Sequence, residues 1–344
     1  MRLFGYTQIW GLMALVMALS LAVLMAAACN PAAGGRLVFV SMVGGDPEIV
    51  VVDAKTGEAS AITDNRSRDL SPQWSPDGKK IVYMSDQAGD MEINVVDPDG
   101  KSIERLTHNG GDDRFPRWSP DGKRLAFISE QEGTPEVYLM GADGGPVTRI
   151  TSNGTPDLLG DWSPNGEWLV YYSEGAIEER GLWLRNPDGV NLVRMTTGQD
   201  RDPVWSPDGK HIAFVRWDGG NADLFVMRKL ADGTWQDGVE ITRLTQHEAD
   251  DVSPNWSPDA RKIAFVSYRD GSAEIYSMRV DGSKQRRLTK NEADDLAPDW
   301  SSDGSRIAFV SSLYGQSEIF VMNADGSQQR RLTNNTAEDH SPNW

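Results

Sequence analysis

Five residues before each of seven tryptophans stands an aspartate: Asp69, Asp113, Asp157, Asp200, Asp251, Asp295 and Asp339. Carboxylates gathered around a confined opening raise the local concentration of cations and basic groups, so this set is a candidate binding ring, with Asp112, Asp202, Asp250, Asp294 and Glu338 close by. An aspartate in a loop also bonds its own backbone N–H two residues on and fixes a turn. Recurrence in all seven units suits that architectural role, because a ligand seldom needs the same group from every side. A second recurrent acid (Glu48, Glu92, Glu136, Asp223, Glu274 and Glu318, with Gly181 in the odd unit) reads as architecture for the same reason.

Other chemistry is sparse. There is no Gly-x-Ser-x-Gly elbow, no Gly-rich phosphate loop and no His-Glu-x-x-His, so no catalytic residues and no metal ligands are assigned. His108, His211, His247 and His340 occupy differing repeat positions and read as solvated side chains. Asp97-Pro98-Asp99-Gly100 is too short for an EF-hand loop; Ca²⁺ is a weak candidate and no other cofactor is expected. Specificity belongs where the units differ. The unit from Trp162 replaces a proline by Gly160 and carries Trp168, Trp183 and the charged loop from Glu174 to Arg180. The next holds seven extra residues around Lys229 to Gly238 with Trp235 at their tip. Trp183 and Trp235 are therefore candidate partner or sugar contacts, set against a role in local packing.

The elements that must position these groups are short strands. Trp74, Trp118, Trp162, Trp205, Trp256, Trp300 and Trp344 recur at intervals of 44, 44, 43, 51, 44 and 44, a period expected of propeller blades. Within a unit, Pro-x-Trp-Ser leads to a Ser-Pro-Asp-Gly turn, as at Ser75–Gly78, whose Pro and Gly suit the second and fourth positions of a type I turn. Apolar runs such as Ile263–Val266 follow, suited to strands covered on both faces. The prolines two residues before most tryptophans cannot donate to a ladder, which places that strand at a sheet edge.

The pattern Leu-Thr, a short acidic loop, Pro-x-Trp-Ser-Pro-Asp-Gly, then Ile-Ala-Phe-Val-Ser and Glu-Ile-Tyr-x-Met resembles the TolB-type propeller repeat, also found in the propellers of prolyl oligopeptidase relatives and oligogalacturonate lyases. The resemblance runs from Arg36 to Trp344 and implies that the tryptophan-bearing strand is innermost. The fold class is thus all-β, a β-propeller of four-stranded blades. Six units are complete; three strands before Trp74 and one inner strand at Ser341–Trp344 would combine into a seventh blade and remove the exposed edges. Seven blades is the expected count, with six, the count in TolB, as the alternative.

The net charge of −17 argues against nucleic acid and against basic-patch binding to anionic membranes. Arg2 is the only charge in the first 28 residues, and from Ile9 to Ala28 the sole polar side chain is Ser20. This stretch has the form of a secretory signal peptide over residues 1–28. Ala26-Ala27-Ala28-Cys29 resembles a bacterial lipobox, which implies lipidation at Cys29, a linker through residue 35 and a propeller over residues 36–344. An uncleaved anchor and a plain secreted form are the alternatives. All three place the propeller outside the cytoplasm.

The expected function is a monomeric, lipid-anchored scaffold of the cell envelope that binds a protein, a peptide or a glycan. The N-terminal α/β domain that accompanies the propeller in the TolB family has no room between Cys29 and Arg36. The alternative is a carbohydrate-active enzyme, such as a uronate lyase, drawing on His108, Arg114, Arg201, His247 and His340 at the channel mouth.

Overall fold

The computed structural model describes residues 35–230 and 233–344. The signal segment and Cys29 lie outside the described residues. Among the described residues twenty-eight strands, β1 to β28 in chain order, form seven antiparallel sheets of four. One strand of each sheet starts at a recurrent aspartate and leads to a recurrent tryptophan, by way of a proline in all but β12: β4 (Asp69–Trp74), β8 (Asp113–Trp118), β12 (Asp157–Trp162), β16 (Asp200–Trp205), β20 (Asp251–Trp256), β24 (Asp295–Trp300) and β28 (Asp339–Asn343). Each of these touches its counterparts in both neighbouring blades, which closes the circle and makes them the inner strands. We number the blades 1 to 6 from Trp74 to Trp300; the seventh combines β28 with β1 (Arg36–Ser41), β2 (Glu48–Asp53) and β3 (Ala59–Ala61). The seven-blade expectation holds, and the ring is closed by pairing of β28 with β1.

Burial falls from the middle of each blade outward. The second strand of blade 5, Lys262–Ser267, is covered on both faces along Ile263–Val266, whereas the outer strands β3 and β7 (Ile103–Arg105) are exposed throughout. The apolar core is seven clusters wedged between blades. One joins Val38, Val40, Ile49 and Val51 of blade 7 to Trp74, Ile81 and Tyr83 of blade 1. Several indoles also reach back across the blade boundary: the Nε1–H of Trp162 donates to the carbonyl of Arg117 at 3.3 Å, and that of Trp344 to the carbonyl of Asp299 at 3.1 Å.

The turn after each tryptophan forms as its sequence requires. Gly78 N–H donates to the Ser75 carbonyl at 2.8 Å, and Ser75 Oγ donates to Asp77 Oδ1 at 2.7 Å. The fourth position has φ of 67° at Gly78, where glycine has no steric penalty. In blade 5 the same place is held by Ala260 at φ 58°.

Candidate binding sites on the two faces of the ring

Inner strands run from an aspartate face to a tryptophan face. The seven aspartates, weighed above as a binding ring and as loop architecture, are buried, with relative exposures of 0–2%. In five blades the carboxylate accepts from an asparagine four residues earlier, as in Asn65 to Asp69 at 2.7 Å and Asn291 to Asp295 at 2.7 Å. Blades 4 and 5 lack that asparagine, and an arginine in the second strand or just after it replaces it: Arg216 Nε to Asp200 at 2.6 Å and Arg269 to Asp251 at 2.8 Å. Burial pushes the Asp295 carboxyl above its ordinary value, and the Ser311, Asn291 and Thr289 side chains draw it back. Burial likewise raises Asp157 to about 6.

The second recurrent acid joins this network. Glu274 accepts from Thr289 Oγ1 at 2.6 Å and from Asn291 N–H at 3.0 Å, while Thr289 Oγ1 accepts from Ile275 N–H at 2.9 Å. Asp and Glu together tie the loop that enters each inner strand to the strands behind it. Each of the seven aspartates is engaged through at least one carboxylate oxygen, while a second, buried oxygen of Asp69, Asp113, Asp157, Asp295 and Asp339 has no hydrogen-bond partner among the described residues.

The channel is lined by a position that the sequence reading passed over, the residue just before each tryptophan. Every inner strand except β12 slips register between the fourth and first residues before its tryptophan, and in six the residue before proline sits at φ 53–57° (Ser71, Phe115, Asp202, Ser253, Ala297 and Ser341). A bulge of this kind re-aims side chains. Around the ring the lining position holds Gln73, Arg117, Asp161, Val204, Asn255, Asp299 and Asn343. Blade 3 differs: Gly160 stands for the proline because a Cβ there would lie 2.5 Å from Pro203 Cγ and 2.8 Å from its carbonyl oxygen.

These side chains staple neighbouring blades. Asp161 Oδ2 accepts from Trp205 N–H at 3.0 Å, Asp299 Oδ2 from Trp344 N–H at 2.9 Å, and Asn343 Oδ1 from Trp74 N–H at 3.1 Å. In the amide orientation that satisfies both neighbours, Gln73 accepts from the Arg117 guanidinium and donates to the Pro116 carbonyl at 3.2 Å. Burial raises both Asp161 and Asp299 to about 7, although backbone donors and, at Asp161, the Arg117 charge oppose it. The same burial lowers Arg117, with Asp161 and Asp299 pulling the other way; a guanidinium stays charged regardless. At the tryptophan face this lumen opens into a cavity of about 260 Å³ rimmed by indoles and prolines. It can accept a small polar group. Its lining among the described residues includes the Asp161 and Asp299 carboxyls and no histidine, cysteine or lysine.

The aspartate face presents something the sequence reading did not single out. Ile177, Trp217, Tyr268, Leu313 and Tyr314 are 41–77% exposed. All lie in or beside the connection between second and third strands of blades 3, 4, 5 and 6. Blades 1 and 2 carry Asp86-Gln87-Ala88 and Glu130-Gln131-Glu132 in the same place. Tyr314 is held by a stacked contact with Phe320 at 6.1 Å and by Arg331 at 4.8 Å. Comparing this loop across blades would have found the apolar arc.

The remaining sequence candidates are engaged locally. His108 accepts from Arg105 at 2.7 Å, and His247 Nδ1 from Ala249 N–H at 3.1 Å. Arg114 pairs with Asp112 and Glu130, Arg201 with Glu174 at 2.8 Å. His340 is partly buried in β28, not solvated, and burial lowers its pKa. Among the described residues no group of three or more His, Cys, Asp or Glu could hold a metal. Trp183 is partly buried; its Nε1–H donates to the Glu179 carbonyl at 2.9 Å and Arg194 lies over its ring. Trp235, expected at an exposed tip, is 5% exposed, because it packs edge-on against Trp205 at 5.0 Å.

The family pattern of the TolB beta propeller domain, PD40, matches residues 11–198 and 188–296. This chain belongs to the TolB β-propeller domain family. A curated relative, the Tol-Pal system protein TolB of Francisella tularensis subsp. mediasiatica (strain FSC147), is 30% identical over 105 residues, covering 29% of this chain and 22% of that protein. The chain therefore aligns with about a fifth of that relative's length. Among solved structures, TolB from Acinetobacter baumannii superposes with a TM-score of 0.60 at 22% identity, over 91% of this chain and 67% of that one. An oligogalacturonate lyase in complex with manganese gives 0.70 at 17% identity, over 86% and 87%. Both structural likenesses speak to the fold.

Proposed function

We propose that this TolB-family propeller is an extracytoplasmic, non-catalytic scaffold that docks an envelope protein on its aspartate face, with Cys29 as its lipid anchor. The apolar arc carries this reading. Large exposed side chains on four consecutive blades mark a protein interaction surface, and Trp and Tyr are the residue types that anchor such interfaces. Its rim is acidic: Asp218, Glu248, Glu292 and Asp294 are exposed and in no ion pair among the described residues. The partner surface is accordingly apolar at its centre and basic at its edge.

The test is photo-crosslinking in envelope membranes with a benzophenone amino acid at Trp217 or Tyr314, compared with the same probe at Gln87. One discrete adduct at 217 and 314 and none at 87 is expected. The double variant Trp217→Ser, Tyr314→Ser should abolish capture with stability within about 0.5 kcal/mol of wild type, as for surface substitutions generally. Equal adducts at all three positions would remove the arc from the interface. Cys29→Ser should release the chain from membranes into the soluble extracytoplasmic fraction.

A further inference from the structure

Blades 3 and 4 depart from the repeat on the tryptophan face as well. In most blades the residue opening the second strand is a cation or histidine set against the next blade's tryptophan: Arg36 lies 5.0 Å from Trp74, Arg124 5.0 Å from Trp162, Arg306 4.9 Å from Trp344, and the His211 ring 6.0 Å from Trp256. Blade 3 has Trp168 there, partly exposed and packed on the cluster containing Trp205 and Trp235. The seven-residue insertion of blade 4 supplies Trp235, fixed by a capping box in which Thr234 N–H and Oγ1 both donate to Asp237 Oδ2, at 2.6 and 2.8 Å.

Between these two blades lies a groove of about 620 Å³, within the roughly 300–1,000 Å³ of small-molecule sites. Its polar rim is Asn165, Glu167, Lys210, Lys229, Thr234 and Gln236. Lys229 lies 5.8 Å from the Trp235 ring. The charges balance, two ammonium groups against Glu167 and Asp208, so a charged ligand would leave one set unmatched. The flanking strands β13 (Leu169–Ser173) and β17 (His211–Asp218) are paired on both edges, so an extended peptide finds no ladder to join. A partly exposed indole beside closely spaced donors and acceptors of both kinds suits a ring with one apolar face and many hydroxyls.

We propose that this groove is a binding site for a neutral saccharide, one sugar ring lying on Trp168 and its hydroxyls bonded to the rim side chains. The site stands apart from the protein-docking arc, on the opposite face. Its test is calorimetric titration of the full chain with maltotetraose, cellotetraose and mannotetraose, with tetragalacturonate and a decaproline peptide as counter-probes. At least one neutral tetrasaccharide should bind more tightly than both counter-probes. Trp168→Arg, which installs the residue found at 36, 124 and 306, should weaken that binding at least about tenfold, or about 1.4 kcal/mol, in protein that still unfolds in a single cooperative transition. Gln236→Ala should weaken it several-fold. No binding of any neutral tetrasaccharide, tighter binding of tetragalacturonate or decaproline, or full affinity in Trp168→Arg would each overturn the assignment.

Discussion

Two positions of the inner strand, four residues apart, behave in opposite ways around the ring. The first is aspartate in all seven blades, buried and bonded to its own blade or the loop that enters it. The residue before the tryptophan is Gln73, Arg117, Asp161, Val204, Asn255, Asp299 or Asn343; several of these reach the next blade, and the position borders the channel cavity. What every blade shares is what every blade needs to fold. What distinguishes one blade from another is free to carry specificity, and in this molecule the differences concentrate in blades 3 to 6.

The comparison breaks first at the shared position. Asp295→Ala leaves Asn291 and Thr289 facing a buried gap and should cost about 2–4 kcal/mol in calorimetric or urea unfolding; Arg117→Gln, at the variable position, keeps a polar side chain in the channel and should cost less, about 1–2 kcal/mol. Equal losses would erase the distinction. Gly160→Ala probes the one blade whose bulge differs. Its methyl would collide with Pro203, so a loss of about 1–3 kcal/mol is expected, and a neutral result would mean that blades 3 and 4 can separate freely.

A pH series sharpens the contrast from the channel side. The folded-state pKa of Asp161 is about 7 against an ordinary 3.8, so the native state holds that proton more tightly than the unfolded chain. Its contribution is full below about pH 4 and is lost as pH rises toward 7. The Tm advantage of wild type over Asp161→Asn should therefore shrink between pH 5 and 8. A constant gap would show that the carboxyl is ionised throughout. The smallest expected change is a gain: Ala260→Gly relieves the left-handed turn position and should add about 1 kcal/mol, unlike the same substitution at Ala264 in the neighbouring strand.

The fold was legible because repetition multiplies weak local signals. Pro-x-Trp, the Ser-Pro-Asp-Gly turn and the apolar second strand gave blade type, blade count and the closure at β28 together. At the aspartates the same repetition pointed to architecture over a binding ring; what it could not show is their burial, because their loops look exposed in one dimension but are roofed by the preceding outer strand and its Thr-Asn segment. The channel position escaped notice because its residue types share nothing and a bulge, invisible in composition, decides where they point. Trp235 looked exposed because it sits in an insertion. Its burial depends on Trp205 in the same blade, with Trp168 from blade 3 packed on the same cluster, a contact between segments far apart in sequence.

The pairing of β28 with β1 also has a consequence in time. Residues 36–61 supply three strands of blade 7, yet their innermost neighbour is residues 339–343. Until that segment emerges from the ribosome or the translocation pore, β1 has an open edge and blades 6 and 7 cannot seal. Contacts spanning almost the whole chain form slowly and leave aggregation-prone edges exposed meanwhile. Closure of the ring is therefore a checkpoint on synthesis: a chain interrupted before residue 339 can build six blades but keeps an unpaired strand, and quality control can read that strand as a mark of incompleteness.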